Sequence, residues 1–278
     1  MNMFQRYING INISGVVVLG CMLGLWETSM HVGWLDLDYL PLPSNIAMAF
    51  WTLCMSGEMF TNTIHTLRSV LIGWGVATVI GLSCGLAVGL SSTLRRFSWA
   101  TIEVLRPLPG IAFLPVAIML FNFSIETELA IIIYPTVWPI LVAAMTGVSV
   151  VHARLFDVSK TLRLSRYKTI FSVILPAITP ALMTGCRVGF SIALIMAVIA
   201  EMLGNPMGLG HAIINAQLSM QSENMFAYVL MIGVLGIMLN ASLMATVQSL
   251  PFSKSATMQS AKPAQSNSNR LSKGPSHA

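Results

Sequence analysis

The sequence predicts an all-α membrane protein with six transmembrane helices. Three observations carry that prediction. Of 278 residues, 55% are hydrophobic and only 9% are charged, with a mean hydropathy of +0.76; soluble domains carry about 25% charged residues. The apolar residues gather into six runs, each about as long as, or longer than, the roughly 20 residues that a helix needs to cross a bilayer. Glycine and methionine are abundant, at 21 and 19 residues, and the runs lack strand-like alternation, so helices rather than a barrel satisfy the backbone in lipid.

The first run is Asn12–Met30. A single cation, Arg6, precedes it, and the apolar stretch runs into Glu27 with no small-x-small cleavage site, so it reads as a retained span rather than a signal peptide. A polar stretch, His31 to Ser44, follows with Asp36, Asp38, Pro41 and Pro43. Ser44 is the expected N-cap of an amphipathic helix, Asn45–Met55, with Ile46, Ala49, Phe50 and Leu53 on one face. Phe50 and Trp51 suit a half-buried position at the outer interface, and Gly57 ends the helix.

The second span runs from about Phe60 to Leu90. At 1.5 Å per residue it is roughly 46 Å long, more than the hydrocarbon core, so it protrudes or tilts. Its second half spaces Gly81, Gly85 and Gly89 four apart, which lets another helix approach closely. Ser91–Phe97 reads as a short loop with Arg95 and Arg96. The third span, Thr101–Phe123, holds LRPLPGIAFLP, whose Pro107, Pro109 and Pro115 forbid a straight helix. Irregular backbone in a membrane survives only against protein or a water-filled cavity, so this span belongs to the bundle interior. The fourth span, Glu128–Val151, is predicted to be broken by Pro135 and Pro139.

Residues 152–180 form the longest polar interruption. Arg154, Lys160, Arg163, Arg166 and Lys168 stand there against one acid, Asp157. Leu155, Phe156 and Leu162, then Ile170, Val173 and Ile174, recur at helical spacing. The pattern predicts two short amphipathic helices joined near Arg163–Ser165 and ending at Pro176. Such a loop can dock a soluble partner; the plainer alternative is that its cations only hold it on the cytoplasmic side. The fifth span is Ala181–Leu203, followed by turn chemistry at Asn205, Pro206, Gly208 and Gly210 and a short surface or re-entrant helix, His211–Met220. The sixth span is Met225–Leu250. The transmembrane domain thus covers residues 1–250, and the polar tail 251–278 reads as disordered.

Charge sets the orientation. With six spans, both termini, the Arg95–Arg96 loop and residues 152–180 share one side, which holds twelve of the fifteen cations. The opposite side holds Asp36, Asp38, Glu58, Glu126, Glu128 and Glu223 and no lysine or arginine. The positive-inside rule makes the cationic side cytoplasmic. The net charge of +5 therefore belongs to membrane topology, not to nucleic acid.

No catalytic constellation or metal-ligand spacing occurs, and no cofactor is expected. GxSxG, HExxH and a Walker loop are all absent from the sequence, so the energy for any driven process comes from another subunit or an ion gradient. Cys21, Cys54, Cys84 and Cys186 read as packing residues. Charges inside spans are functional suspects: Arg68, Arg106, Arg187 and Glu201 are candidates for a translocation pathway, or else packing glue and interfacial anchors. Glu103 and Arg106 are spaced to pair locally. Arg68 and Glu201 lie near outer helix ends, where they could snorkel to water. His65 and His211 read as ordinary polar residues near the outer interface.

The inner loop resembles the signature EAA-x3-G-x9-I-x-L-P of ABC importer permeases. Asp157, Val158 and Ser159 stand at EAA, Arg163 at the glycine, and Val173, Leu175 and Pro176 at I-x-L-P, with the full spacing kept. The stretches LPLPSNIAMAFW, HTLRSVLIGW, GLAVGLSS, LRPLPGIAFLP, TGCRVGF and VIAEMLGNPMGLG are similar to the nitrate/sulfonate/taurine branch, so the resemblance covers about residues 40–250. It implies a type I importer fold in a bacterial inner membrane, with two permease copies forming a pore, a cytoplasmic ATPase seated on each coupling loop, and an extracytoplasmic solute-binding protein. Arg163 departs from the pattern: a turn glycine takes positive φ freely, whereas arginine does so at a cost of about 1 kcal/mol or more. The alternative of another class is a stand-alone secondary transporter, which would need inverted halves and a deep coupling acid.

Overall fold

The structure, a computed structural model, describes residues 13–34, 39–151 and 153–249. Arg6, Asp36, Asp38, His152 and the tail 251–278 lie outside these residues. In chain order, Ile13–His31 (α1) and Pro43–Met55 (α2) lead into Glu58–Leu90 (α3). Ser92–Leu105 (α4), a 3-10 turn at Gly110–Phe113 and Leu114–Phe121 (α5) precede Ile125–Val150 (α6). Ala153–Thr161 (α7) and Arg166–Thr169 (α8) are followed by a π turn, Ile170–Ile174, and Leu175–Gly204 (α9). Leu209–Leu218 (α10) and Ser222–Ser249 (α11) complete the described chain. No strand occurs among the described residues.

Four of these helices are long and apolar enough to cross a membrane: Glu58–Leu90, Ile125–Val150, Arg166–Gly204 and Ser222–Ala245; α4 with the Gly110–Phe121 segment makes a fifth if counted as one interrupted span. The expected break at Pro107 and Pro109 is present, because helix α4 stops at Leu105 and regular structure resumes only at Gly110. Large apolar side chains lie bare, Met119 being 85% exposed and Leu120 68%, as lipid-facing helices require.

Several local expectations are corrected. The N-cap of α2 is Leu42, with Pro43 in the first turn; proline's fixed φ and missing donor suit that position. Ser44 instead gives its backbone N–H (3.1 Å) and its hydroxyl (2.7 Å) to the two oxygens of Glu27 in α1. Helix α2 buries Ile46 and Leu53, while Phe50 is half-buried and Trp51 exposed. Ser91–Phe97 is no loop: the Ser91 hydroxyl accepts from Leu94 N–H at 3.2 Å and starts α4, as a serine N-cap does. Helix α6 runs unbroken through Pro135 and Pro139, since membrane helices tolerate proline where neighbouring protein protects the freed backbone. Cys21, Cys54 and Cys84 are exposed, so only Cys186, half-buried, packs within the chain.

The chain divides into two compact units, Met1–Ile72 with Ile111–Ile132 and Leu194–Gly236, and Gly73–Gly110 with Ile133–Ala193 and Ile237–Ala278. The core of the first joins Leu114, Ala117, Ile131 and Ala200. The second has two cores, Val88, Ile102, Leu141 and Met145 in one and Val148, Ile174 and Ile178 in the other. In this second unit the glycine spacing of α3 does what was expected. A Cβ on Gly85 would stand 2.6 Å from the Ala144 Cβ and from the Leu141 carbonyl, and one on Gly81 2.9 Å from the Val137 carbonyl. Gly185 of α9 presses on α6 in the same way, at Ala143 and the Pro139 carbonyl. Helix α6 is thus gripped by glycine on two faces.

Candidate functional site

The polar interruption folds as an elbow. Helix α7 ends in a left-handed turn at Arg163, φ +49°. Leu164 N–H reaches back to the Ser159 carbonyl and Arg163 N–H to the Lys160 carbonyl, both at 3.0 Å. This paired 6→1 and 5→2 pattern is a Schellman cap, with Arg163 where glycine is usual. The turn expected of a glycine is therefore kept, at arginine's cost in backbone strain. Ser165 then caps α8, its hydroxyl accepting from Lys168 N–H at 3.4 Å.

The second arm does not end at Pro176. One helix runs from Arg166 to Gly204 through Pro176 and Pro180. The π turn immediately before Pro176, where Leu175 N–H bonds the Ile170 carbonyl, widens the helix at the point where the proline ring must fit. This arm is anchored: Ile174 and Ile178 pack on Val148, with Leu86, Val151, Ile170 and Leu175 around them. Of the signature residues, Ser159 is buried, Val173, Leu175 and Pro176 are half-buried, and Asp157 and Arg163 are exposed. The free face of the elbow is apolar as well as cationic. Leu162 is 64% exposed, Tyr167 79% and Phe171 63%, among Lys160, Arg163, Arg166 and Lys168, all exposed.

The four span charges have different surroundings. Arg187 is exposed and donates from Nε to Asn240 Oδ1 at 3.0 Å, and Arg68 is exposed. Arg106 lines a cavity of about 500 Å³ within the second unit, with Pro135, Trp138, Thr184, Gly185 and Val188 on its wall. The Trp138 indole N–H is buried and makes no hydrogen bond. Arg106 also shares a groove with Glu103, but among the described residues the ion pairs are His31–Glu27 and His65–Glu201, so the expected Glu103–Arg106 pair does not form.

Glu201 is the largest departure. It reaches no interface water and is fully buried. Its Oε2 accepts from the Thr66 hydroxyl at 3.0 Å and from Gly210 N–H at 2.9 Å, while Thr66 Oγ1 also accepts from Leu209 N–H at 3.0 Å. The start of α10 is thereby held by a carboxylate and a hydroxyl from two other helices, where helix N–H groups lack partners of their own. Gly208, φ +98°, lies against the Glu201 carboxyl so closely that a Cβ would collide with it. Glu128, read from the sequence as an outer-surface acid, is buried too, and its Oε2 accepts from Asn205 at 2.8 Å. His65 stands 3.5 Å from Glu201. Sequence reasoning missed this network; the only trace of it was the intramembrane position of Glu201 and the glycine-rich turn after it.

Comparison with known proteins gives a consistent picture. The family described as "binding-protein-dependent transport system inner membrane component" matches residues 77–251. The Bacillus subtilis (strain 168) protein SsuC, described as an aliphatic sulfonates transport permease, is 27% identical over 224 residues, 81% of this chain and 81% of that protein. The nitrate import permease protein NrtB of Leptolyngbya laminosa is 28% identical over 183 residues, 66% of each chain. Among solved structures, a chain of the MetNI methionine ABC transporter in inward-facing conformations matches with a TM-score of 0.56 at 15% identity, covering 67% of this chain and 94% of that one. At that identity the likeness concerns the fold.

Proposed function

Because the chain belongs to the binding-protein-dependent transport system inner membrane component family, and is thereby a multi-pass membrane permease subunit, we propose that it forms the pathway of an ATP-driven importer for a small anion such as a sulfonate or nitrate. The substrate class follows the relatives named for sulfonates and nitrate. Its six spans are α1, α3, the interrupted α4–α5 pair, α6, the Arg166–Gly204 helix and α11. They lie in a bacterial inner membrane with both termini cytoplasmic, and a second copy completes the pore. A separate cytoplasmic ATPase drives it, and an extracytoplasmic binding protein delivers the solute.

One observation carries the reading: the elbow is anchored at one arm by Val148, Ile174 and Ile178 while Leu162, Tyr167 and Phe171 stay bare at its tip. Apolar side chains on the cation-rich elbow, at the protruding start of the Arg166–Gly204 helix, gain from burial against a partner, and the cations steer that partner in. A packed root lets force on the tip pass into α6 and α9. Asp157, Ser159, Arg163, Val173, Leu175 and Pro176 belong to this coupling element. Arg106 offers a cation and Thr184 a hydroxyl in a mostly apolar cavity, which suits a small anion in transit; Arg68 and Arg187 add positive charge elsewhere, whereas Glu201 holds structure.

Liposomes containing the chain with its cognate ATPase are expected to take up nitrate or an alkanesulfonate only when ATP and the binding protein are supplied. Uptake by the chain alone, driven by a proton or sodium gradient, would overturn the reading.

A further inference from the structure

The network around Glu201 leaves unused donors at its centre. His65 Nδ1, Glu128 Oε1, Glu201 Oε1 and Ser69 Oγ are all buried and make no well-formed hydrogen bond; His65 Nδ1 and Glu201 Oε1 meet only as a 3.5 Å ion pair. Ser69, Glu128 and Glu201 are each at most 1% exposed. One ligand atom each from His65, Glu128 and Glu201 lie within 4.8 Å of one another, and Ser69 faces Glu128. The other oxygen of each carboxylate is tied back: Asn205 holds Glu128 Oε2, and Thr66 with Gly210 N–H holds Glu201 Oε2.

We propose that His65, Glu128 and Glu201 bind one divalent transition-metal cation of the zinc class, which locks α3, α6 and α9 together beside the start of α10.

The donor set is right for such an ion: one imidazole nitrogen and two carboxylate oxygens, with a fourth position open to Ser69 or water. Each carboxylate presents one free oxygen while its second accepts hydrogen bonds, the outer-shell arrangement that orients metal ligands. Distances fit as well. Zinc bonds to nitrogen and oxygen run about 2.0–2.2 Å, so ligands around a tetrahedral ion stand roughly 3.3–3.6 Å apart. His65 Nδ1 and Glu201 Oε1, the ion pair, are already 3.5 Å apart, and the widest separation closes by a shift of about 1 Å. Charge also favours a cation. Two carboxylates inside a membrane protein are costly without compensation, and His65 offers at most one positive charge to the two of them. A proton on His65 serves Glu201 but leaves Glu128 to the neutral Ser69 hydroxyl; a divalent ion engages all three.

The inference does not depend on the transport reading, and its test reads metal rather than uptake. The detergent-solubilised full chain, stripped with chelator, is dialysed against Zn2+ and, separately, Co2+, then freed of unbound ion. Elemental analysis is expected to return about one ion per chain, and bound Co2+ to show the absorption of a tetrahedral site. Glu128→Gln keeps the shape and the Asn205 contact, so it should fold, and it is expected to lower affinity at least tenfold. Chelation should lower the wild-type melting temperature and leave that of Glu128→Gln unchanged. Failure of the wild-type chain to retain either ion, or equal retention by Glu128→Gln and by the double variant with Glu201→Gln, would overturn the proposal.

Discussion

The elbow and the buried carboxylate network treat charge in opposite ways. At the elbow, Lys160, Arg163, Arg166 and Lys168 lie in the open beside bare Leu162 and Phe171. Around Glu201, charged groups sit where apolar ones are expected, each anchored by named donors. An exposed charge changes little when removed, because water screens it on both sides of the comparison. A buried one holds backbone groups that have no substitute. Mutations should therefore separate the two regions by what they damage: partner binding at the elbow, folding at the network.

The largest effect is expected at Glu201. Glu201→Ala strands the Thr66 hydroxyl and the Gly210 N–H in a dry interior, a loss of about 3 kcal/mol or more. Thermal unfolding in detergent should show it, with Glu201→Gln milder; a variant as stable as wild type would erase the contrast. A comparable loss is expected for Gly85→Val, since even a Cβ there lies 2.6 Å from Ala144 and Leu141, and overpacking typically costs about 1–3 kcal/mol.

Elbow substitutions sharpen the other side. Leu162→Asp is expected to leave the melting temperature in place while weakening co-purification of the ATPase. Losing a buried leucine at an interface removes about 1.5–3 kcal/mol, or roughly ten- to a hundredfold in affinity. Unchanged ATPase binding would make the exposed apolar tip irrelevant to coupling. Arg106→Gln is expected to raise the KM for the anion several-fold with assembly intact, measured as uptake against substrate concentration. The smallest effect belongs to Arg163→Gly. Relieving positive φ at this cap should stabilise the elbow by about 1 kcal/mol, seen as slower amide exchange at Leu164 with uptake unaltered.

The sequence disclosed what repeats along one element. Four of the apolar runs, or five with the interrupted α4–α5 pair, the four-residue glycine spacing from Gly81 to Gly89 and the elbow's joint near Arg163 are periodic or local signals that appear in the structure. The failures share a cause. Whether Ser91 starts a helix, whether Pro135 and Pro139 break one, and whether Ser44 caps its own helix or binds Glu27 depend on competing partners or on packing that local propensity does not contain. The buried network was illegible for a stronger reason. His65, Glu128 and Glu201 come from three helices far apart in the chain, and each alone resembles an outer-end polar residue.

The two glycine faces that grip α6 have a mechanical corollary. Where Gly81 and Gly85 meet Val137, Ile140, Leu141 and Ala144, and Gly185 meets Pro139 and Ala143, backbones approach with little but alanine methyls and the branched stem of Ile140 between them. A seam of that kind has no soft degree of freedom, so these stretches of α3, α6 and α9 must travel as one stiff lever, and any hinge that opens a passage has to lie beyond their ends.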